Sequence, residues 1–108
     1  MALTKPRIKV PENAKPGDII EVKTLIQHVM ETGQRKDAQG NTVPRNILNT
    51  FVASFAGQEV FRADLQPGIS ANPYLAFYMR VSGPGELQFT WIEDTGDKLT
   101  ETVKLKVA

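Results

Sequence analysis

The sequence of 108 residues contains no cysteine, and it has one histidine, one tryptophan and three serines. The absence of cysteine excludes a thiol nucleophile, a disulfide framework and an iron–sulfur cluster. A single histidine, His28, also excludes a multi-histidine metal site. No Gly-x-Ser-x-Gly motif is present, so nothing supports a Ser–His–Asp triad. The sequence therefore predicts no catalytic, metal or cofactor site.

Charge and hydropathy narrow the function classes further. Thirteen basic residues stand against twelve acidic ones, a formal net charge of +1, so no basic excess is available to bind nucleic acid. The apolar stretches are too short to cross a membrane. The first ten residues have no apolar h-region, so no secretory signal is expected, which by itself favours the cytoplasm. The length and a hydrophobic content of 41% predict one globular domain, residues 1–108.

Period-2 alternation of apolar and polar residues dominates the chain, and no segment keeps a helical period. In the second alternating segment, the even-numbered positions from Ile20 to Ile26 are expected to line one buried face. Turn signals separate the segments, including Gly57-Gln58 as a two-residue hairpin turn and Pro67-Gly68 in the loop before the fifth strand. The pattern predicts seven strands, at residues 7–10, 19–28, 47–56, 59–65, 74–81, 86–93 and 98–107.

Seven strands without a helix predict an all-β, antiparallel immunoglobulin-like β-sandwich. A small open barrel is the alternative architecture. Within the strand at 47–56, Ile47 and Phe51 are expected on one face and Leu48 on the other. Trp91 has no cysteine pair to pack against, which argues against an antibody-type domain.

A polar connection, residues 29–45, is long for a loop, and such loops are often functional. His28 stands at its start, where a hydrogen bond to loop backbone is favoured over contact with a partner. Met30 has an adaptable side chain that suits either a binding surface or a plug at the end of the sandwich. The other candidates for partner binding in this loop are Glu31, Gly33, Arg35, Lys36 and Asp37.

Tyr74, Tyr78 and Arg80 fall on one face of the strand at 74–81. If that face is exposed, these residues have the composition of an interface hot spot and join the partner-binding candidates. If the second sheet covers it, they belong to the core. The alternation leaves both arrangements open and slightly favours the core.

As a whole, the sequence resembles the SoxZ family, the smaller subunit of the SoxYZ sulfur-carrier complex of bacterial thiosulfate oxidation. The most specific part is the block His-x-Met-Glu-Thr-Gly-x-Arg-Lys-Asp at 28–37, together with Ala-Asn-Pro-Tyr at 71–74. Val29 stands where such sequences often have proline. The remaining blocks, which extend the resemblance over nearly the whole chain, lie at 7–11, 23–26, 44–45 and 89–91.

The resemblance implies an immunoglobulin-like sandwich that forms a heterodimer with SoxY, the subunit that carries the sulfur substrate on a cysteine. It implies a non-catalytic subunit without a cofactor, which helps to present the carrier to the other Sox enzymes through transient contacts. It also implies a periplasmic complex in which only the partner carries an export signal.

Two other function classes stay open on the residues alone. One is a small domain that binds or transforms a sulfur ligand by itself, and the absence of cysteine counts against it. The other is a free-standing β-sandwich, a protein-binding or structural module unrelated to sulfur metabolism. Its edge strands at 7–10 and 98–107 would allow self-pairing, although their lysines discourage it.

Overall fold

The computed structural model describes residues 5–11, 13–66, 69 and 72–105. Its strands are β1 (Arg7–Lys9), β2 (Ile19–Leu25), β3 (Leu48–Phe55), β4 (Gln58–Asp64), β5 (Tyr74–Arg80), β6 (Gly85–Glu93) and β7 (Lys98–Leu105). One antiparallel sheet has the order β1-β2-β5, and the other has the order β4-β3-β6-β7. The predicted all-β immunoglobulin-like β-sandwich is confirmed. No segment of the described chain forms a helix long and apolar enough to span a membrane.

The alternation of side chains places the core between the two sheets. The even-numbered positions from Ile20 to Ile26 are all buried, as predicted. Phe77 of β5, in the same sheet, stacks against Phe61 of β4 in the facing sheet, with ring centroids 4.8 Å apart. The ring centroid of Phe77 also lies 6.5 Å from that of Phe51 of β3. These ring contacts join the sheets through their inner faces, as expected for a sandwich.

Aromatic side chains pack together in the core. Trp91 is 1% exposed, and its ring centroid lies 5.1 Å from that of Phe51 and 6.2 Å from that of Phe89. Tilted ring pairs at such distances stabilise a core beyond the area they bury. The chain therefore builds this core without cysteine.

Two local predictions were wrong, and both involve β3. The register between β3 and β6 shifts between Leu48 and Thr50, so Ile47 and Leu48 are both fully buried instead of lying on opposite faces. Such an irregularity inserts one residue and reverses the alternation before it. The hairpin turn is Ala56-Gly57, one residue earlier than predicted. Both residues have positive φ, 51° and 84°, as a type I′ turn requires.

The connection between β2 and β3, residues 26–47, is the β2–β3 loop. It is folded back on itself by two pairings outside the named strands, Glu31 with Asn46 and Lys36 with Thr42. The long polar loop predicted here is thus ordered. Its base lies around the Glu31–Asn46 pairing, and its tip lies around the Lys36–Thr42 pairing. The predicted turn at Pro67-Gly68, Ala71 and residues 106–107 of the last predicted strand lie outside the described residues.

Candidate functional site

His28 anchors the base of the β2–β3 loop from the interior of the sandwich. Its Nε2 lies 2.7 Å from Oε2 of Glu93, the last residue of β6, and neither side chain has exposed surface. Its Nδ1 accepts the backbone N–H of Met30 at 2.9 Å. Because Nδ1 accepts, the ring proton is on Nε2 and is donated to the carboxylate.

Glu93 is held as a buried carboxylate by the groups around it. Burial by itself raises the pKa of Glu93. Hydrogen bonds from Thr95, His28 and Asn46 outweigh that effect, and the pKa lies below its usual range. The Thr95 hydroxyl donates to Oε1 at 2.7 Å, so both carboxylate oxygens have a donor. A buried charge needs such compensation, and here it comes from the loop and from the β6–β7 turn.

His28 also joins the two most specific sequence blocks. Its backbone N–H donates to Oδ1 of Asn72 at 2.9 Å, and the Asn72 N–H donates to the His28 carbonyl at 2.7 Å. Met30 and Asn72, the two neighbours that bond to His28, both have positive φ, 56° and 54°. That conformation is uncommon outside glycine, most of all for a residue such as methionine. The hydrogen bonds of Met30 and Asn72 to His28 hold both residues in this conformation.

Met30 is a plug and not a surface residue. It is 3% exposed, and the Leu48 N–H points at its Sδ at 3.3 Å. The predicted hydrogen bond between His28 and loop backbone is confirmed, with the Met30 N–H as the donor. The hypothesis that His28 and Met30 present their side chains to a partner is corrected, because both lie in the interior. Both ring nitrogens of His28 are engaged, so the residue positions the loop.

Asp94 holds the C-terminal end of the β2–β3 loop by hydrogen bonds. Its carboxylate accepts two hydrogen bonds from Arg45, at 2.8 and 3.1 Å, and one from the Ile47 N–H at 3.1 Å. The Asn49 side-chain amide donates to the same carboxylate at 3.0 Å. The Arg45 guanidinium is the largest cause that holds the pKa of Asp94 at about 2, against an ordinary value of 3.8. This cluster connects the end of the loop to the end of β6.

Gly33 allows the two arms of the loop to approach each other. Its φ is +87°, and a Cβ built on it would lie 3.0 Å from the Cβ of Arg45. Any larger residue would therefore meet both a strained backbone and a close neighbour. Gly33 shapes the loop and has no side chain to offer a partner.

The loop tip carries the exposed charges. Arg35 is bonded to Glu31 by its Nε and Nη2 groups, with the shortest contact at 2.8 Å. Asp37 accepts the N–H groups of Gln39 and Asn41 at 2.9 and 3.0 Å, which closes the turn. Lys36 is exposed. Among the loop candidates, Arg35, Lys36 and Asp37 thus reach solvent, while Glu31 is half-buried.

The outer face of β5 is a second candidate surface. Tyr74 and Tyr78 are 57% and 69% exposed, and Arg80 is exposed as well. The slight preference for placing them in the core was wrong. Ile19, 63% exposed, pairs with Arg80 across the sheet and lies on the same face. These four residues are called the tyrosine face. Large exposed aromatic and aliphatic side chains grouped on one face are typical of interaction sites.

Sequence reasoning missed Glu93 and Asp94. One signal was available, because alternation from Leu87 through Phe89 and Trp91 places Glu93 on the buried face of β6. A buried carboxylate requires a partner, and His28 is the only histidine. Within the described residues, no group of three or more histidine, cysteine, aspartate or glutamate side chains converges in a way that could hold a metal ion.

By its fold the protein is a small antiparallel β-sandwich, and its long loop is held at one end of the sheets. The chain is similar in structure to a superoxide reductase (neelaredoxin) from Ignicoccus hospitalis, with a TM-score of 0.72 and 17% identity over 98% of this chain and 82% of that one. It is also similar to the sulfur carrier protein SoxY from Chlorobium limicola f thiosulfatophilum, with a TM-score of 0.67 and 17% identity over 95% of this chain and 78% of that one. At such identities the likeness shows the fold alone.

The sequence identifies the family more narrowly. Residues 8–104 match the profile of the family described as Sulphur oxidation protein SoxZ. The chain belongs to the SoxZ family and is a protein of sulfur oxidation. No curated protein matches the sequence. Membership argues against the alternative of a module unrelated to sulfur metabolism.

Proposed function

We propose that this chain is the non-catalytic subunit of a heterodimeric sulfur carrier, paired with a SoxY-like subunit that holds the sulfur substrate on its own cysteine. The observation that carries the proposal is the family match over residues 8–104. The sequence has no cysteine, which agrees with covalent attachment of the sulfur substrate on another chain. The fold similarity to SoxY is consistent with two sandwich subunits side by side.

The role of the chain is to bind and to present, not to catalyse. Both ring nitrogens of its only histidine form hydrogen bonds inside the sandwich, Nε2 with Glu93 and Nδ1 with Met30. A side chain with no exposed surface cannot exchange a proton with a substrate. The buried pair instead supports a loop whose exposed tip carries charge, and a rigid sandwich with an exposed aromatic face suits protein binding.

We assign the tyrosine face to the SoxY-like partner and the loop tip to transient contacts with the other Sox enzymes. Tyr74, Tyr78 and Ile19 group three of the most exposed large hydrophobic side chains of the described chain on one sheet face. Aromatic and arginine side chains dominate the energetics of stable interfaces. Arg35, Lys36 and Asp37 at the tip are charged, which favours fast and reversible encounters.

Co-expression with a SoxY-like subunit tests the proposal. We expect an equimolar complex by size-exclusion chromatography with light scattering. After incubation with thiosulfate and the enzymes that load the carrier, intact-mass analysis should find the sulfur adduct on the partner only. A chain that stays monomeric beside the partner, or that carries the adduct itself, would contradict the proposal.

We further propose that the complex functions in the periplasm, as the family resemblance implies, and that this chain is exported together with its partner. Deleting the export signal of the partner should then leave both subunits in the cytoplasmic fraction. Export of this chain in cells that lack the partner would contradict joint export.

A further inference from the structure

A groove runs along β1 on the outer face of the three-stranded sheet. It consists of three adjoining depressions of about 240, 390 and 350 Å³. The first and second share Lys9 and Lys23, and the second and third share Arg7 and Leu25. The depressions therefore form one continuous feature, which we call the basic groove.

The walls of the basic groove are strongly cationic, although the whole chain is nearly neutral. Lys5, Arg7, Lys9 and Lys23 line it, and Glu21 is the one carboxylate among those lining residues that the structure describes. Lys23 Nζ lies 3.5 Å from Glu21 Oε1, with both side chains well exposed. Such an exposed pair contributes little energy. The groove thus keeps a local excess of positive charge.

Arg7 and Lys9 of the groove differ from three of the other four arginines of the chain. Arg35, Arg45 and Arg62 are each bonded to a carboxylate of the chain, at 2.8, 2.8 and 3.0 Å. Arg7, in contrast, forms no ion pair with any residue in the described part of the chain, and the same holds for Lys9. Their charge remains available to an outside ligand.

The floor of the groove is apolar. Leu25 and Tyr74 pair across β2 and β5 and line the central depression, and Val10 and Pro11 line the end beyond Lys9. From Lys5 to Pro11 the groove follows about seven residues of chain, roughly 20 Å at the rise of an extended strand. A small inorganic anion would occupy only a fraction of this length.

We infer that the basic groove binds an extended acidic polypeptide segment of a partner protein, with carboxylates on the cationic rim and apolar side chains on the Leu25–Tyr74 floor. An extended segment alternates its side chains, so acidic and apolar residues in turn would match rim and floor. The inference goes beyond the proposed function, and the groove shares one residue, Tyr74, with the tyrosine face.

A peptide titration of the isolated, isotope-labelled chain tests the inference by NMR at physiological ionic strength. The probe is a capped hexapeptide of alternating glutamate and valine, and its controls replace every glutamate with glutamine or with lysine. We expect the glutamate peptide to shift the amide signals of β1 and β2 and that of Tyr74. The glutamine and lysine peptides should bind at least about tenfold more weakly.

Matched variants locate the site. Arg7→Glu with Lys9→Glu should weaken glutamate-peptide binding about tenfold or more, because attraction becomes repulsion. Arg7→Gln with Lys9→Gln covers the case in which the reversal perturbs β1, and it should also weaken binding. Lys98→Glu with Lys104→Glu makes the same charge change on exposed residues of β7. It should change the affinity by less than about twofold, because distant exposed charges are screened.

Three results would overturn the inference. The first is an affinity that is unchanged in both β1 variants. The second is an equal loss in the β7 variant, which would show attraction to net charge alone. The third is sodium sulfate that shifts the same signals with the affinity of the peptide, which would make the groove a small-anion site.

Discussion

His28 and Glu93 lie 65 residues apart in the sequence, yet His28 Nε2 and Glu93 Oε2 are 2.7 Å apart, and both side chains are fully buried. Replacing one member of such a pair leaves the other buried without its partner. The pair therefore makes the end of the sandwich sensitive to single substitutions at either position.

The first prediction concerns this pair. His28→Ala should lower the free energy of unfolding by about 3–5 kcal/mol, because it leaves the Glu93 carboxylate buried without its imidazole donor. Glu93→Gln keeps an acceptor for the Nε2 proton and removes the charge, so it should cost less, about 1–3 kcal/mol. Urea unfolding followed by Trp91 fluorescence measures both. Equal costs for the two variants would contradict a buried carboxylate.

The second prediction separates strain from contact at Gly33. Gly40 has nearly the same backbone, φ +84° against +87°, but a Cβ there meets no atom within 4 Å. Gly40→Ala should therefore cost only the backbone term, about 1–2 kcal/mol. Gly33→Ala adds the close approach to Arg45 and should cost about 1–3 kcal/mol more. Thermal or urea unfolding of the matched pair gives the difference directly, and no difference would mean that the loop arms spread without cost.

The third prediction follows from the pKa of Asp94, about 2 in the folded chain against an ordinary 3.8. A lowered carboxyl pKa stabilises the folded state fully above the ordinary value, and this contribution is lost as the pH falls from there through the folded value. Asp94→Asn should thus reduce the loss of unfolding free energy between about pH 4 and pH 2. Arg45→Gln, which removes the main cause, should bring the folded pKa of Asp94 closer to its ordinary value and so make this loss smaller. Urea unfolding across this range measures the slopes, and identical slopes in wild type and Asp94→Asn would contradict the assignment.

The fourth prediction tests the tyrosine face in the proposed heterodimer. Tyr78→Ala should weaken binding of the SoxY-like partner by about 2 kcal/mol, close to thirtyfold in Kd. Val60→Ala on β4 is the control, because Val60 is also an exposed apolar residue, 39% exposed, but belongs to the other sheet. Calorimetric titration should show the control within about twofold of wild type. An unchanged Kd for Tyr78→Ala would move the interface elsewhere.

Much of the fold could be predicted from local pattern, because a strand with one buried face alternates with period 2. This holds for β2, where each predicted inner residue from Ile20 to Ile26 is buried. For β5 the alternation left the buried face open, and the structure buries Phe77 and Met79 and exposes Tyr74 and Tyr78. The prediction failed at Leu48, where a register shift against β6 breaks the alternation. A bulge depends on the neighbouring strand, and the single strand carries no sign of it.

The candidate site was only partly predictable, because its contacts are long-range. The loop residues 28–37 stood out as a block, and the structure does gather them at one end of the sandwich. What the pattern could not show is that Glu93 and Asn72 meet His28, across 65 and 44 residues. For the same reason the sequence left open whether Met30 fills the end of the sandwich or lies on a binding surface. Its packing against Leu48 shows that it fills the end of the sandwich.

The pairing of β2 with β5 also has a kinetic consequence. The hairpins β3–β4 and β6–β7 close over short turns. Pairing of Leu25 with Tyr74, in contrast, closes a loop that contains β3 and β4. Loop-closure entropy makes such non-local pairings slow, so the four-stranded sheet is expected to nucleate first. The sheet that carries both the tyrosine face and the basic groove would then be completed last. A newly made chain would acquire its binding surfaces only at the final step of folding, when little of it remains open to misassociation.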